Sequence, residues 1–209
     1  MRRFRHAMQG SRTNRELGFS VAELVVAIAI GMVILAAVTA TFIAQSKYFN
    51  AQEQINQMQQ NARGAMDIIV REVKMAGYNP THAAFNGITY DSSKLNLLSD
   101  FSGPSSPEGD GNLNQPNENI TYSFDATNLR IMRNDVNGSG SQVLASNIQN
   151  FTFSYLDANG NPTTTTANIR QIQIVITART SKPDPSYPSN GGYRTYQLTA
   201  LVTPSNLGY

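Results

Sequence analysis

Residues 24–44 run without a single charge, and eleven of those 21 positions are Leu, Ile, Val or Phe. At about 1.5 Å of helical rise per residue such a run crosses roughly 30 Å of hydrocarbon. Each of the eleven favours insertion by about 0.3–0.6 kcal/mol, so the pattern predicts one membrane-spanning helix. At residue 45 the polarity changes, but no helix breaker appears. The stretch QSKYFNAQEQINQMQQNARGAMDIIVREVKMAGYNP is Gln-rich, yet Ile55, Met58, Ala62, Ala65, Ile69, Val73 and Ala76 recur at spacings of three or four. That is an apolar stripe on a continuing helix. No proline occurs from 19 to 79, and Gly77 followed by Pro80 is a stop signal. The expectation is one helix over 19–77, about 88 Å long and therefore too long for its first half to lie within the remaining domain.

Beyond Pro80 the pattern shifts to short β-prone runs punctuated by Asn, Gly, Ser and Pro. Residues 120–124 and 129–133 flank DATN as a hairpin, and further strands are expected at 148–156, 169–179 and 193–202. DANGNP at 157–162 and KPDPSYPSNGG at 182–192 are turns or loops, and 102–119 reads as an irregular exposed loop. There is no internal repeat. The expected fold is α+β, with a long N-terminal helix whose membrane-spanning first half is residues 19–44. Its amphipathic continuation, 45–79, would pack on an antiparallel sheet formed within 80–209.

Charge changes this picture at one end. Arg2, Arg3, Arg5, Arg12 and Arg15 against Glu16 give the first eighteen residues a net +4, and the remainder holds 11 basic and 13 acidic residues, a net −2. The basic balance belongs to the N-terminal segment and offers little for nucleic acid. Arginines before the span place the N-terminus in the cytoplasm and everything after residue 45 outside. With no cysteine, neither a disulfide framework nor a thiolate metal site is available.

One residue does not suit a plain anchor. Glu23 is a carboxylate at the entrance of the apolar run, behind Gly18 and Phe19. A secretory signal peptide cut after Ala40, or a simple signal anchor, leaves it unexplained, although a carboxylate inside a span costs about 2.5–3.5 kcal/mol on insertion scales. Gly18, Phe19, Glu23 and the uninterrupted apolar helix resemble the type IV pilin-like proteins, also called class III signal proteins. The resemblance implies that a prepilin peptidase cuts between Gly18 and Phe19, removing the leader 1–18, and N-methylates Phe19. It implies that the apolar helices later leave the bilayer to bundle as a filament core, and that Glu23 sets subunit registration. A carboxylate buried in such a bundle needs a partner, and the amino group of a neighbour's Phe19 is the available cation.

Two further stretches, ARGAMDIIVREVKMAGYNP at 62–80 and VLASNIQNFTFSYLDANGN at 143–161, resemble PilW-like minor pilins and the J-type pseudopilins of type II secretion. Ile68, Ile69, Val70, Val73 and Tyr78 are equally explained by helix-on-sheet packing. Many major pilins carry a helix proline and a cysteine-closed loop, and this chain has neither, which favours a minor subunit. The implied role is to prime or cap assembly of a type IV pilus. Alternatives are a type II secretion pseudopilin, or a tip subunit binding a ligand or DNA through loop 102–119 and Tyr187, Tyr193, Tyr196 and Tyr209. Implied partners are other pilins through the N-terminal helix, the prepilin peptidase, the inner-membrane assembly platform and the membrane. Nucleic acid is not expected, since Arg130, Arg133, Arg170 and Arg179 are scattered among strands. The implied location is the bacterial inner membrane with the C-terminal domain outside, and the pilus after assembly.

Other chemistry is sparse. His6 and His82 are isolated, and no nucleophile elbow or phosphate loop occurs. No catalysis and no cofactor are expected. DVNGSG at 135–140 places Asp135, Asn137 and Ser139 at alternate positions like the start of a calcium loop, but Ser146 stands where the bidentate Glu would be. An Asn-Gly turn is the simpler reading.

Overall fold

The structure, a computed structural model, describes residues 18–104 and 108–207. The leader before Gly18, His6 within it, and Tyr209 lie outside the described residues. One helix, α1 (Val21–Met75, 55 residues), is followed by β1 (Ile88–Thr89), β2 (Lys94–Leu98), β3 (Asn119–Asp125), β4 (Arg130–Asp135), β5 (Gly140–Ser146), β6 (Ile148–Leu156), β7 (Gln171–Arg179) and β8 (Thr195–Val202). All pairings are antiparallel, and the fold is α+β. The strands form two sheets rather than the single one expected, in the orders β1-β2-β3-β4-β5 and β6-β7-β8.

The chain passes from one sheet to the other through a single residue. Asn147 takes a φ of 57°, a left-handed conformation that Asn tolerates better than most side chains. Its carbonyl accepts the Arg179 N–H at 2.8 Å, and the next N–H, of Ile148, donates to Leu129 at 2.9 Å. Leu129, expected at the start of a strand, instead closes the β3–β4 turn with a φ of 53°. In that turn Asn128 donates to the Asp125 carboxylate from its main chain (3.1 Å) and its amide (2.7 Å).

Two compact units are present, Met1–Phe49 and Asn50–Tyr209. In the first, every described residue is exposed. In the second, the stripe read from the spacing is the buried face of the helix: Met58, Ala62, Ala65, Ile69, Val73 and Ala76 are all buried, and Ile55 packs against them. They share one core with Leu95, Leu97, Ile120, Tyr122 and Ile131 of the five-stranded sheet and Phe151, Ile172, Ile174 and Ile176 of the other. Each buried Ile or Leu contributes about 1.5–3 kcal/mol, so burial of the stripe holds this part of α1 to the sheets. Ile68 and Tyr78 are exposed instead, Tyr78 stacking on Phe101 with ring centres 5.9 Å apart.

The helix ends where Gly77 adopts a φ of 83°, and the Gly77 N–H donates to Leu98 at 2.8 Å. The C-terminal segment returns to the same point. Ser205 N–H donates to the Lys74 carbonyl (3.2 Å) and the Asn206 amide to that of Met75 (3.4 Å), meeting acceptors that a helix C-terminus leaves free. A Cβ on Gly77 would stand 2.7 Å from the Asn206 carbonyl oxygen. Glycine is therefore required twice, for its backbone angle and for this close approach.

Candidate functional site

The N-terminus of α1 is built from four residues. Gly18, Phe19 and Ser20 precede the first helical residue, and Phe19 is almost wholly exposed. The Ser20 N–H donates to Glu23 Oε2 at 2.8 Å, and the Glu23 N–H donates to Ser20 Oγ at 3.2 Å. This reciprocal pair is a capping box, in which side chains satisfy two of the N–H groups that a helix start leaves without acceptors. The Ser-Val-Ala-Glu spacing carries that signal in the sequence. Glu23 therefore has a partner within its own chain, and its negative charge also lies at the positive end of the helix dipole.

Past this cap α1 offers apolar surface on all sides. Leu24, Val25, Val26, Ile28, Ile30, Val33, Ile34, Leu35 and Val38 are each about half to two-thirds exposed. Mean hydropathy reaches 2.7 over an 18-residue stretch, enough in length and composition to cross a bilayer. Its hydroxyls are satisfied locally: Thr39 donates to the Leu35 carbonyl (2.8 Å) and Thr41 to that of Ala37 (2.9 Å). An environment without water requires such internal pairing.

The second unit carries polar groups that sequence reasoning missed. Glu72 of α1 accepts the hydroxyl of buried Tyr122 on β3 and the guanidinium of Arg133 on β4, with Nε at 3.0 Å and Nη2 at 2.9 Å. Arg133 donates onward to Asn117 Oδ1 at 2.8 Å. Three buried carboxylates organise the loop between β2 and β3. Glu118 accepts the N–H groups of Phe101 and Ser102 (both 3.0 Å) on one oxygen and of Gln115 (2.9 Å) on the other. Asp100 takes those of Asp110 (3.0 Å) and Gly111 (2.9 Å), and Asp135 that of Asn117 (3.0 Å). The loop's described residues are irregular as expected, and they are anchored to buried groups.

The structure places the remaining candidates apart. Asp135 is committed to Asn117, and Gly138 packs so close that a Cβ there would stand 2.1 Å from Asp135 Oδ2. Asn137 donates its amide to the Leu113 carbonyl, and Ser139 is exposed in the β4–β5 turn. Among the described residues no three His, Cys, Asp or Glu side chains gather as a metal-binding group. Tyr187 lies under Arg194 (4.8 Å), Tyr193 under Arg179 (4.1 Å), and the Tyr196 hydroxyl accepts from Arg63 (3.5 Å). Arg170 is spent on the carbonyls of Ala167 (2.9 Å) and Ile169 (2.8 Å), at the rim of a groove of about 620 Å³ that also includes exposed His82.

No protein-family model matches the chain, and no curated protein matches it. Among solved structures it is similar to a type IV-like pilin from Thermus thermophilus, at 12% identity and a TM-score of 0.46, over 72% of this chain and 98% of that one.

Proposed function

We propose that this chain is a pilin-type structural subunit, of the minor pilin or pseudopilin kind. It would be cleaved between Gly18 and Phe19, N-methylated on Phe19, and would act by bundling its N-terminal helix with those of other subunits. One observation carries this reading. An apolar helix, exposed on every side and with its hydroxyls internally satisfied, begins two residues after the Gly18–Phe19 junction and carries its only early charge at Glu23. Such a surface suits lipid and equally suits the sides of identical helices, so one segment serves first as anchor and then as filament core. The absence of a helix proline and of cysteine supports a minor subunit. Priming or capping a type IV pilus is the role this favours.

The test is assembly that depends on processing. In cells with a prepilin peptidase and a filament system, the chain is expected in the sheared filament fraction. Without the peptidase it is expected to stay in the membrane at full length. Recovery as a soluble protein lacking residues 19–40 overturns the proposal.

A further inference from the structure

Arg179 ends β7 without a counter-charge. Among the described residues no carboxylate pairs with it, and its Nε is shielded from solvent without an acceptor. Its guanidinium carbon lies over the ring of Tyr193 at 4.1 Å, and among the described residues its two terminal nitrogens, the end-on fork, have no hydrogen-bond partner. That side chain lines a pocket of about 220 Å³ together with Gln54, Gln57, Asn61, Asn147 and Ser181, and it is the one charged group in the lining. Gln54 commits its oxygen to the Lys182 N–H (3.0 Å) and the Ser181 hydroxyl (3.4 Å), which leaves its amide as a donor. Asn61 and Gln57 are tied to Ser146 and Glu53, while among the described residues the Asn147 side chain has no partner.

We propose that this pocket is a subsite for a single carboxylate group, supplied by a small carboxylic acid or by an acidic side chain of a second copy of this chain. A planar fork with two parallel N–H donors matches a carboxylate, and one cation among neutral amides matches one negative charge. A phosphate dianion would call for a second cation. The volume accepts a carboxylate with a short stem and no large body. The site lies wholly within the second unit and is independent of the filament reading.

The experiment uses the full-length, 15N-labelled protein in detergent micelles, titrated with sodium acetate or with sodium chloride at matched ionic strength. The Arg179 Nε–H and Asn147 side-chain amide resonances are expected to move saturably with acetate, and about tenfold more weakly with chloride, which cannot engage the fork in parallel. Arg179→Gln is expected to weaken the Asn147 response by about tenfold or more. Arg179→Lys keeps the charge without the fork and should do the same, which covers the case in which the glutamine variant does not fold. If a second copy supplies the carboxylate, the resonances also shift with protein concentration before acetate is added, and acetate reverses the shift. Without that dependence the source is a small acid. Equal responses to the two salts, or an Asn147 response that survives both substitutions, overturns the proposal.

Discussion

The main-chain N–H of Ser20 donates to the carboxylate of Glu23 at 2.8 Å, and the Ser20 hydroxyl receives the N–H of Glu23 in return. This changes what a Glu23 substitution means. Removing the side chain loses a capping interaction worth about 1 kcal/mol as well as a charge. Poor assembly of Glu23→Ala is therefore ambiguous.

Glutamine separates the two roles, because Gln serves at the same capping-box position while carrying no charge. If Glu23 pairs with a neighbour's amino group, Glu23→Gln inserts and is cleaved normally but assembles as poorly as Glu23→Ala. Quantifying each variant in sheared filaments decides the matter. Assembly of Glu23→Gln at wild-type levels leaves the residue a helix cap only.

The link between Glu72, Tyr122 and Arg133 joins the helix to two strands. Removing the carboxylate strands a partly buried guanidinium and a buried hydroxyl, so Glu72→Ala is expected to destabilise by about 2–3 kcal/mol. Tyr122→Phe, which keeps the ring, should cost about 1 kcal/mol. Denaturant unfolding of the two single variants and the double variant checks this, with a non-additive double expected because they share one network.

Burial raises the Tyr122 hydroxyl well above its ordinary range, reinforced by the Glu72 carboxylate, and burial pushes Tyr155 up to about 12. Their contribution to stability is complete below about pH 10, the unfolded value. It is lost as pH rises from there through the folded values, because the unfolded chain releases protons that the folded one retains. The melting temperature is expected to fall from about pH 10 upward, less steeply in Tyr155→Phe. Thermal melts followed by circular dichroism across that window provide the measurement.

Both oxygens of Glu118 accept main-chain N–H groups. Glu118→Gln turns one acceptor into a donor facing an N–H, which costs about 1–3 kcal/mol. The expected consequence is local. Limited proteolysis should cleave the loop between β2 and β3 faster while β6–β8 keep their hydrogen-exchange protection.

The apolar rhythm from Ile55 to Ala76 made the buried helix face legible, because a spacing of three and four has one physical meaning on a helix. Strands β6, β7 and β8 were legible for a similar reason, their β-branched and aromatic alternation. β2 and β5 were not, since KLNLL is short and leucine-rich and GSQVLAS begins with residues that read as a turn. The division into two sheets depends on one left-handed Asn, which no periodicity announces. At the junction the Ser-x-x-Glu spacing of Ser20 and Glu23 is the signature of a capping box, a role that the sequence carries beside the charge of Glu23. The buried carboxylates at 100, 118 and 135 take loop N–H groups distant in sequence, a relationship fixed by tertiary structure alone.

The most direct measurement is the N-terminus of the mature protein, by intact mass and N-terminal sequencing from cells that contain a prepilin peptidase. A chain that starts at Phe19 and carries one additional methyl group is the expected result. A chain that starts at Thr41, or one that keeps Met1 in the presence of active peptidase, contradicts the account.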